Sequence, residues 1–154
     1  MSKTVETKVK LSSTRRLLSE FDGVSKEFDV EMKGDNVLLW NVAIQGPEDT
    51  PYSGGTFLLQ IVLEPTFPFS SPQITFLTKI FHPNVNSKGM VCLGMLTNGW
   101  KPTYSVLEAV KSIQYLLEVP DPDNPMVAEI GGLYLRNRTA FDKKATEWTL
   151  QYAV

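Results

Sequence analysis

The chain contains one cysteine and one histidine, Cys92 and His82, which lie ten residues apart. The stretch between them is rich in turn-forming residues and reads His82-Pro83-Asn84-Val85-Asn86-Ser87-Lys88-Gly89-Met90-Val91-Cys92. A lone cysteine is most often a small buried hydrophobe. On a turn-rich segment, however, another molecule can reach the thiol. A thiolate there would suit acyl transfer, because it attacks and leaves readily and its thioester stores reactivity for a second step.

The motifs around Cys92 resemble those of a known family in their order and spacing. Cys92 follows His82-Pro83-Asn84, and Trp100-Lys101-Pro102 comes eight residues after the cysteine. This order resembles the ubiquitin-conjugating enzymes, which carry ubiquitin from an activating enzyme to a ligase. The resemblance covers residues 12–154 and includes further pieces in the same order: Tyr52-Ser53-Gly54-Gly55, Pro68-Phe69, Pro72, the proline-rich run 120–125 and Glu147-Trp148-Thr149.

The resemblance implies two catalytic residues. Cys92 would accept the C-terminal carboxyl group of ubiquitin as a thioester and pass it to a substrate lysine or to a ligase cysteine. Asn84 would donate a hydrogen bond to the oxyanion that forms when the acceptor attacks. The alternative for Asn84 is an amide bonded to nearby backbone, as asparagine often is in turns, and the two uses are compatible.

His82 and Pro83 are expected to support the loop. Proline restricts the backbone, and a histidine ring bonded to backbone groups would hold the loop in place. The alternative is a Cys–His dyad, as in thiol hydrolases. We reject it because an acceptor amine that arrives deprotonated needs no resident base.

The chain departs from the family pattern at two positions near the thioester. Gly94 and Asn124 stand where the family often has acidic residues, and Asp123 is adjacent but would point elsewhere. A nearby carboxylate helps to orient and deprotonate a lysine. We therefore expect lysine to discharge the thioester slowly and cysteine to discharge it readily. The alternative is that Asn124 positions lysine by hydrogen bonding.

A ligase-binding surface is implied on two other loops. Pro68 and Phe69 on one loop, with Lys101 and Pro102 on the other, resemble the family's docking platform, and Lys101 should bias which ligase is accepted. An exposed aromatic residue beside prolines suits an interface anchor, although a buried Phe69 is the alternative. Charge complementarity would come from the first helix, through Arg15 and Arg16.

Composition limits the class of protein. The 154 residues suit one domain, and an apolar fraction of 42% with 21% charged residues argues against disorder. The net charge of -2 gives no reason to expect nucleic acid or a membrane as partner. One cysteine cannot form an internal disulfide, and no apolar run has membrane-spanning length. The first ten residues are polar, so we expect no signal peptide. We expect a cytoplasmic or nuclear monomer.

The chain is predicted to fold as an α+β domain over residues 12–154, with residues 1–11 as a flexible extension. Ser12-Ser13-Thr14 would cap a first helix that ends at Gly23. Alternating apolar residues then predict a four-stranded antiparallel meander with a turn at Gly34-Asp35-Asn36. A long irregular segment, residues 79–104, follows and contains the cysteine, and loops of this length tend to be functional.

Three helices are predicted after that segment. Ser105 and Glu108 form a capping box, and Val106, Val110, Ile113 and Leu117 make one apolar stripe. A second helix should cover residues 126–135, and Thr139 would cap the last. Trp40 and Trp148, which lie on apolar stripes, are expected in the core.

The leading hypothesis is a ubiquitin-conjugating transferase whose partners are ubiquitin, the activating enzyme, ligases and substrate proteins. It needs no metal or bound nucleotide, since ATP is used by the activating enzyme. Two alternatives share the fold: an enzyme for another ubiquitin-like modifier, and a noncatalytic variant that only presents ubiquitin. The noncatalytic variants lack the cysteine, which this chain has. A cysteine hydrolase would need the His82–Cys92 hydrogen bond rejected above.

Overall fold

The computed structural model describes residues 3–154, with side chains from Thr14 onward. The order of elements is one helix, four strands and three helices, and a single 3-10 turn, Gly94–Leu96, lies in the long irregular segment. The helices are α1 Lys3–Ser25, α2 Val106–Glu118, α3 Ala128–Arg136 and α4 Arg138–Tyr152. The strands are β1 Asp29–Lys33, β2 Asn36–Gln45, β3 Thr56–Val62 and β4 Gln73–Phe76. The predicted α+β class is confirmed.

The four strands form one antiparallel sheet in the order β1-β2-β3-β4. Trp40 pairs with Ile61 and Val42 pairs with Leu59, so the apolar residues of neighbouring strands share one face. Side chains alternate between the two faces of a strand, and on this face the central residues of β2 and β3 are completely buried: Trp40, Val42, Ile44, Phe57, Leu59 and Ile61. The predicted meander is therefore confirmed, including its first hairpin, where Gly34 adopts a φ of +57°.

Helix α2 begins as its sequence predicts. The Ser105 side chain accepts a hydrogen bond from the Glu108 N–H, and the Glu108 carboxylate accepts one from the Ser105 N–H. The predicted apolar stripe of α2 is buried. The predicted cap of α4 is wrong, because Asn137, two residues before Thr139, accepts the hydrogen bond from the Ala140 N–H.

Helix α1 is longer than predicted at both ends. It begins at Lys3, so the expected cap at residues 12–14 lies within the helix and that boundary is wrong. It also continues through Gly23, because Val24 is buried in the core and Lys26 forms an ion pair with Asp22. The flexibility of residues 1–11 stays a prediction, and residues 1 and 2 lie outside the described part.

The irregular segment is held against the sheet by specific contacts. The buried Tyr52 hydroxyl donates to the Phe81 carbonyl at 2.6 Å, and Met90 forms an isolated bridge with Thr75. Trp40 is completely buried and Trp148 is half-buried against the same core, as predicted. No helix in the described part of the chain is long and apolar enough to cross a membrane.

Candidate active site

Cys92 lies on the irregular segment, two residues before the 3-10 turn, and is exposed. Its backbone N–H donates to the Asn84 carbonyl at 2.9 Å. This hydrogen bond closes a loop in the segment, because the backbone of Cys92 returns to that of Asn84 eight residues later. The thiol is therefore carried on a restrained backbone while remaining open to a partner.

Asn84 is buried, with 1% of its surface exposed, and its side chain spans two loops. Its Nδ2 donates to the carbonyls of Asp121 and Asn124, at 2.9 and 3.1 Å. Its Oδ1 accepts from the Asp121 N–H at 2.9 Å. Both amide hydrogens are thus used by the proline-rich loop, residues 120–125. Asn84 anchors that loop beside the backbone of Cys92.

The Pro83 carbonyl also helps to hold the proline-rich loop against the segment that carries Asn84. That oxygen accepts hydrogen bonds from the N–H groups of Met126 and Val127, at 2.8 and 3.1 Å. Backbone groups just before α3 are thereby satisfied by the loop that carries Asn84. The proline-rich loop is consequently fixed from both of its ends.

His82 is completely buried and contacts backbone on both sides of its ring. Its Nδ1 accepts from the Asn84 N–H at 3.0 Å, which places the ring hydrogen on Nε2, 2.9 Å from the Leu116 carbonyl. Burial lowers the pKa of this histidine to about 4, and the hydrogen bond to Leu116 opposes the shift only in part. A neutral ring with both nitrogens engaged is a structural group and has no nitrogen left for Cys92.

Asp121, which the sequence reasoning did not single out, is the acidic residue of the proline-rich loop whose side chain contacts Asn124. Asn124 and Asp121 are both exposed, and the Asn124 Nδ2 lies 3.2 Å from the nearer Asp121 carboxylate oxygen. Asp123, the residue considered from the sequence, is exposed beside them. Gly94 opens the 3-10 turn, and a Cβ built there would meet no atom within 4 Å. A larger side chain would therefore fit at that position.

The two predicted docking loops lie together. The Trp100 indole N–H donates to the Pro68 carbonyl at 2.8 Å, which joins the loops. We call Pro68, Phe69, Lys101 and Pro102 the docking platform. Phe69 is 81% exposed, so the alternative of a buried Phe69 is wrong. Lys101 and Pro102 are exposed as well.

Arg16 on α1 contacts both loops of this platform. Its guanidinium donates to the carbonyls of Pro102 and Tyr104, at 3.2 and 3.1 Å, and lies 5.6 Å from the centre of the Phe67 ring. It also pairs with the Glu20 carboxylate, at 2.8 Å. Arg16 therefore ties α1 to both loops, whereas Arg15 is exposed.

Glu20 was missed by the sequence reasoning, although it carries a signal. Its other carboxylate oxygen accepts from the Val106 N–H at the start of α2, at 2.9 Å. A glutamate four residues after an arginine predicts an ion pair on one helix face. Its second partner is 86 residues away in the sequence. Only the fold brings the two together.

No group of three or more His, Cys, Asp or Glu side chains is placed to hold a metal ion in the part of the chain that the structure describes. What the arrangement offers is an exposed thiol on a backbone braced by buried neutral groups. Such an arrangement suits covalent transfer to and from Cys92.

Comparison with known proteins defines the class. A model of the family described as "Ubiquitin-conjugating enzyme" matches residues 16–149. An Arabidopsis thaliana protein named "Probable ubiquitin-conjugating enzyme E2 31" is 40% identical over 149 residues, which are 95% of this chain and 97% of that protein.

Solved structures agree. The E2 domain of a Toxoplasma gondii ubiquitin conjugating enzyme has a TM-score of 0.87 and 36% identity, and the match covers 92% of this chain and 99% of that one. A candidate ubiquitin conjugating enzyme of Plasmodium yoelii has the same TM-score at 39% identity, covering 92% and 96%. The chain belongs to the ubiquitin-conjugating enzyme family. It is accordingly a transferase of the kind that works through a thioester intermediate.

Proposed function

We propose that Cys92 carries the thioester of this ubiquitin-conjugating enzyme. The observation that supports it is the exposure of the thiol on a loop whose backbone is bonded to Asn84. In the first transfer the Cys92 sulfur attacks the activating enzyme's thioester to ubiquitin. The new C–S bond forms as the old one breaks, and the activating enzyme's thiolate leaves. A thioester is thus exchanged for a thioester, and the energy of the bond is retained.

In the second transfer the acceptor attacks the carbonyl carbon and the Cys92 sulfur leaves as a thiolate. A lysine amine gives an amide and loses one proton, whereas a ligase thiolate gives another thioester. Asn84 serves this step by holding the proline-rich loop beside Cys92. It can also donate to the oxyanion, as the family resemblance implies, if one Nδ2 hydrogen leaves the carbonyl of Asn124. That bond is the longer of the two that Nδ2 donates.

The docking platform is the proposed contact with ligases. Phe69 offers an apolar side chain to a partner, and Lys101 adds a positive charge beside Pro102. An exposed aromatic residue on a braced loop loses little conformational freedom on binding, which favours affinity. Arg15 would add a charge at the edge of the platform.

Several finer points belong to the same proposal. The protein would act as a cytoplasmic or nuclear monomer that needs no resident cofactor, with ATP consumed by the activating enzyme. Its partners would be ubiquitin, that enzyme, ligases with a surface complementary to Phe69, and their substrates. Ubiquitin is preferred over other ubiquitin-like modifiers on overall similarity to the family.

The test is a charging assay with the purified protein, ATP and each modifier with its own activating enzyme. Gels run with and without reductant should show a reductant-sensitive adduct with ubiquitin. Cys92→Ser should give a reductant-resistant oxyester, because an alkoxide leaves less readily than a thiolate, and Cys92→Ala should give no adduct. Charging of Cys92→Ala would show that another residue is the acceptor. Charging by a different modifier alone would reassign the modifier.

A further inference from the structure

An open cleft lies between the end of β4, the turn at residues 86–89 and the last turns of α4, and we call it the α4 cleft. It encloses about 600 Å³, a volume within the range of ligand pockets, roughly 300–1,000 Å³. Its lining is mostly apolar and includes three aromatic side chains, those of Phe76, Trp148 and Tyr152. The cleft is therefore large enough to receive a bulky apolar group from another molecule.

The charged side chains that line the α4 cleft are positive. Lys79 and Lys88 line it, and among the described residues no Asp or Glu does. Both lysines are exposed, and neither forms an ion pair with another described residue. The Lys79 ammonium lies 5.1 Å from the centre of the Tyr152 ring, which holds this charge over an aromatic wall of the cleft. The cleft therefore favours an anionic partner.

The hydrogen-bonding groups that the fold leaves unused at the α4 cleft are donors. The indole N–H groups of Trp40 and Trp100 each donate to a backbone carbonyl, at 2.7 and 2.8 Å. The half-buried Trp148 has no such acceptor in the part of the chain that the structure describes, although a tryptophan N–H usually finds one. Asn86 accepts two backbone N–H groups through Oδ1, which leaves its Nδ2 free to donate. These donors suit a ligand that is rich in acceptors.

We propose that the α4 cleft is a docking site for an acidic segment of a protein partner. A large apolar side chain of the segment enters the cleft, and carboxylates on either side of it contact Lys79 and Lys88. The aromatic walls receive the apolar anchor, and anchors of this kind carry most of the binding energy of an interface. The lysines lie on separate elements, which suits two acidic side chains of one segment. Their charge selects the partner and speeds its association.

The α4 cleft is a different surface from the docking platform and from the thiol. No residue of the platform lines it, and neither does Cys92. Lys88 lies at the tip of the loop that the hydrogen bond between the Cys92 N–H and the Asn84 carbonyl closes. A partner in the cleft is thus held on the same loop as the thiol without covering it. Docking needs no thioester, so the proposal stands independently of the function proposed for Cys92.

The experiment is an NMR titration of the uncharged full-length protein with a pentapeptide, Glu-Glu-Phe-Glu-Glu, acetylated and amidated at its ends. The indole N–H signal of Trp148, identified by its loss in Trp148→Phe, should shift as the peptide is added. The signals of Trp40 and Trp100 should not shift, because these groups are bonded within the protein. A peptide with Ala in place of Phe should bind about tenfold more weakly, as after the loss of an interface anchor. A peptide with Gln in place of every Glu should also bind roughly tenfold more weakly.

Substitutions at the two lysines locate the binding site. Lys79→Gln and Lys88→Gln should each weaken binding of the pentapeptide about threefold, the factor of one exposed ion pair. Lys33→Gln is the matched control, because Lys33 is an exposed residue of β1 that does not line the cleft, and the substitution changes the net charge equally. Binding by this control should not change. High salt should weaken binding by the unmodified protein more than binding by K79Q/K88Q, since salt screens exposed charges.

Several results would overturn the proposal. Equal binding of the Glu and Gln peptides, or equal loss in Lys33→Gln, would show that the cleft does not select acidic segments. Phenylacetate that binds as tightly as the pentapeptide would make the cleft a site for small aromatic acids. A dimer of the protein alone that K79Q/K88Q breaks, measured by sedimentation, would assign the cleft to a second copy of the chain. If Trp148→Phe does not fold, the lysine variants decide the matter, because they replace exposed side chains.

Discussion

Two side chains, Asn84 near Cys92 and Arg16 near Phe69, each hold a functional loop in place, and they do so with different chemistry. We call these two sets of contacts the junction behind Cys92 and the junction behind Phe69. In each, one side chain bonds to the backbone of a distant loop. Behind Cys92 that side chain is Asn84, which is neutral and buried. Behind Phe69 it is Arg16, which is charged and whose side chain is 35% exposed.

The difference has an energetic consequence. A buried amide that loses its partners leaves polar groups unsatisfied, which costs about 1–3 kcal/mol for each group. A partly exposed guanidinium exchanges its partners for water and gains less from them. The junction behind Cys92 should therefore be the more rigid, as suits a reacting centre, and the platform should adapt more readily to a partner.

Replacing Asn84 should have the largest effect on stability. Asn84→Ser removes three hydrogen bonds to Asp121 and Asn124, and it should lower the free energy of unfolding by about 4 kcal/mol, measured by urea denaturation. Discharge onto amines should slow more than charging by the activating enzyme. A variant with unchanged stability and slow discharge would instead assign Asn84 to the oxyanion alone.

The pH dependence of stability should report on His82. The folded-state pKa is about 4, below the ordinary value of 6.5, because the ring is buried. Between these values the unfolded chain binds a proton that the folded chain does not. The free energy of unfolding should therefore fall as the pH decreases. The stabilisation that comes from the depressed pKa of His82, about 3 kcal/mol, is fully present above pH 6.5 and is lost as the pH falls toward 4.

The measurement is simple because the chain has a single histidine. In untagged protein, one imidazole signal in a proton NMR titration reports its pKa directly. Urea denaturation from pH 4 to 7 should be measured for the unmodified protein and for His82→Gln. Because glutamine does not titrate, the difference between the two pH profiles gives the part of the pH dependence that is due to His82. An imidazole that titrates near pH 6.5 in the folded protein would contradict the buried neutral ring.

The sequence predicted the strands and the start of α2 because their signals are local. Alternation along β2 and β3 and the capping box at Ser105 each lie within a few residues. The start of α1 was missed because serines and a threonine suit both a cap and an exposed helix face. In the site, Asn84 was found from its motif, but its bonds to Asp121 were not. Those bonds join residues 37 positions apart, which only the packed fold brings together.

A substitution at Phe69 tests whether the docking platform binds ligases, and it leaves the hydrophobic core unchanged. Phe69→Ala should reduce ligase-stimulated discharge about thirtyfold, the loss of an interface anchor worth about 2 kcal/mol. Charging and melting temperature should not change, because the ring is 81% exposed. Leu150→Ala, at a site 71% exposed on α4, is the matched control and should leave ligase stimulation intact. Equal effects of the two variants would place ligase binding elsewhere.

Replacing Arg16 should destabilise the protein less than replacing Asn84. Arg16→Lys keeps the charge but loses the planar fork that reaches Pro102 and Tyr104, so the free energy of unfolding should fall by about 1 kcal/mol. Because the lost contacts orient the docking loops, ligase-stimulated discharge should fall more than intrinsic discharge onto lysine. Arg15→Lys, at an exposed neighbour, is the control and should not change stability. If both variants keep full stability and weaken ligase stimulation equally, Arg16 contacts the ligase itself, and the two junctions do not share the bracing role that their contacts indicate.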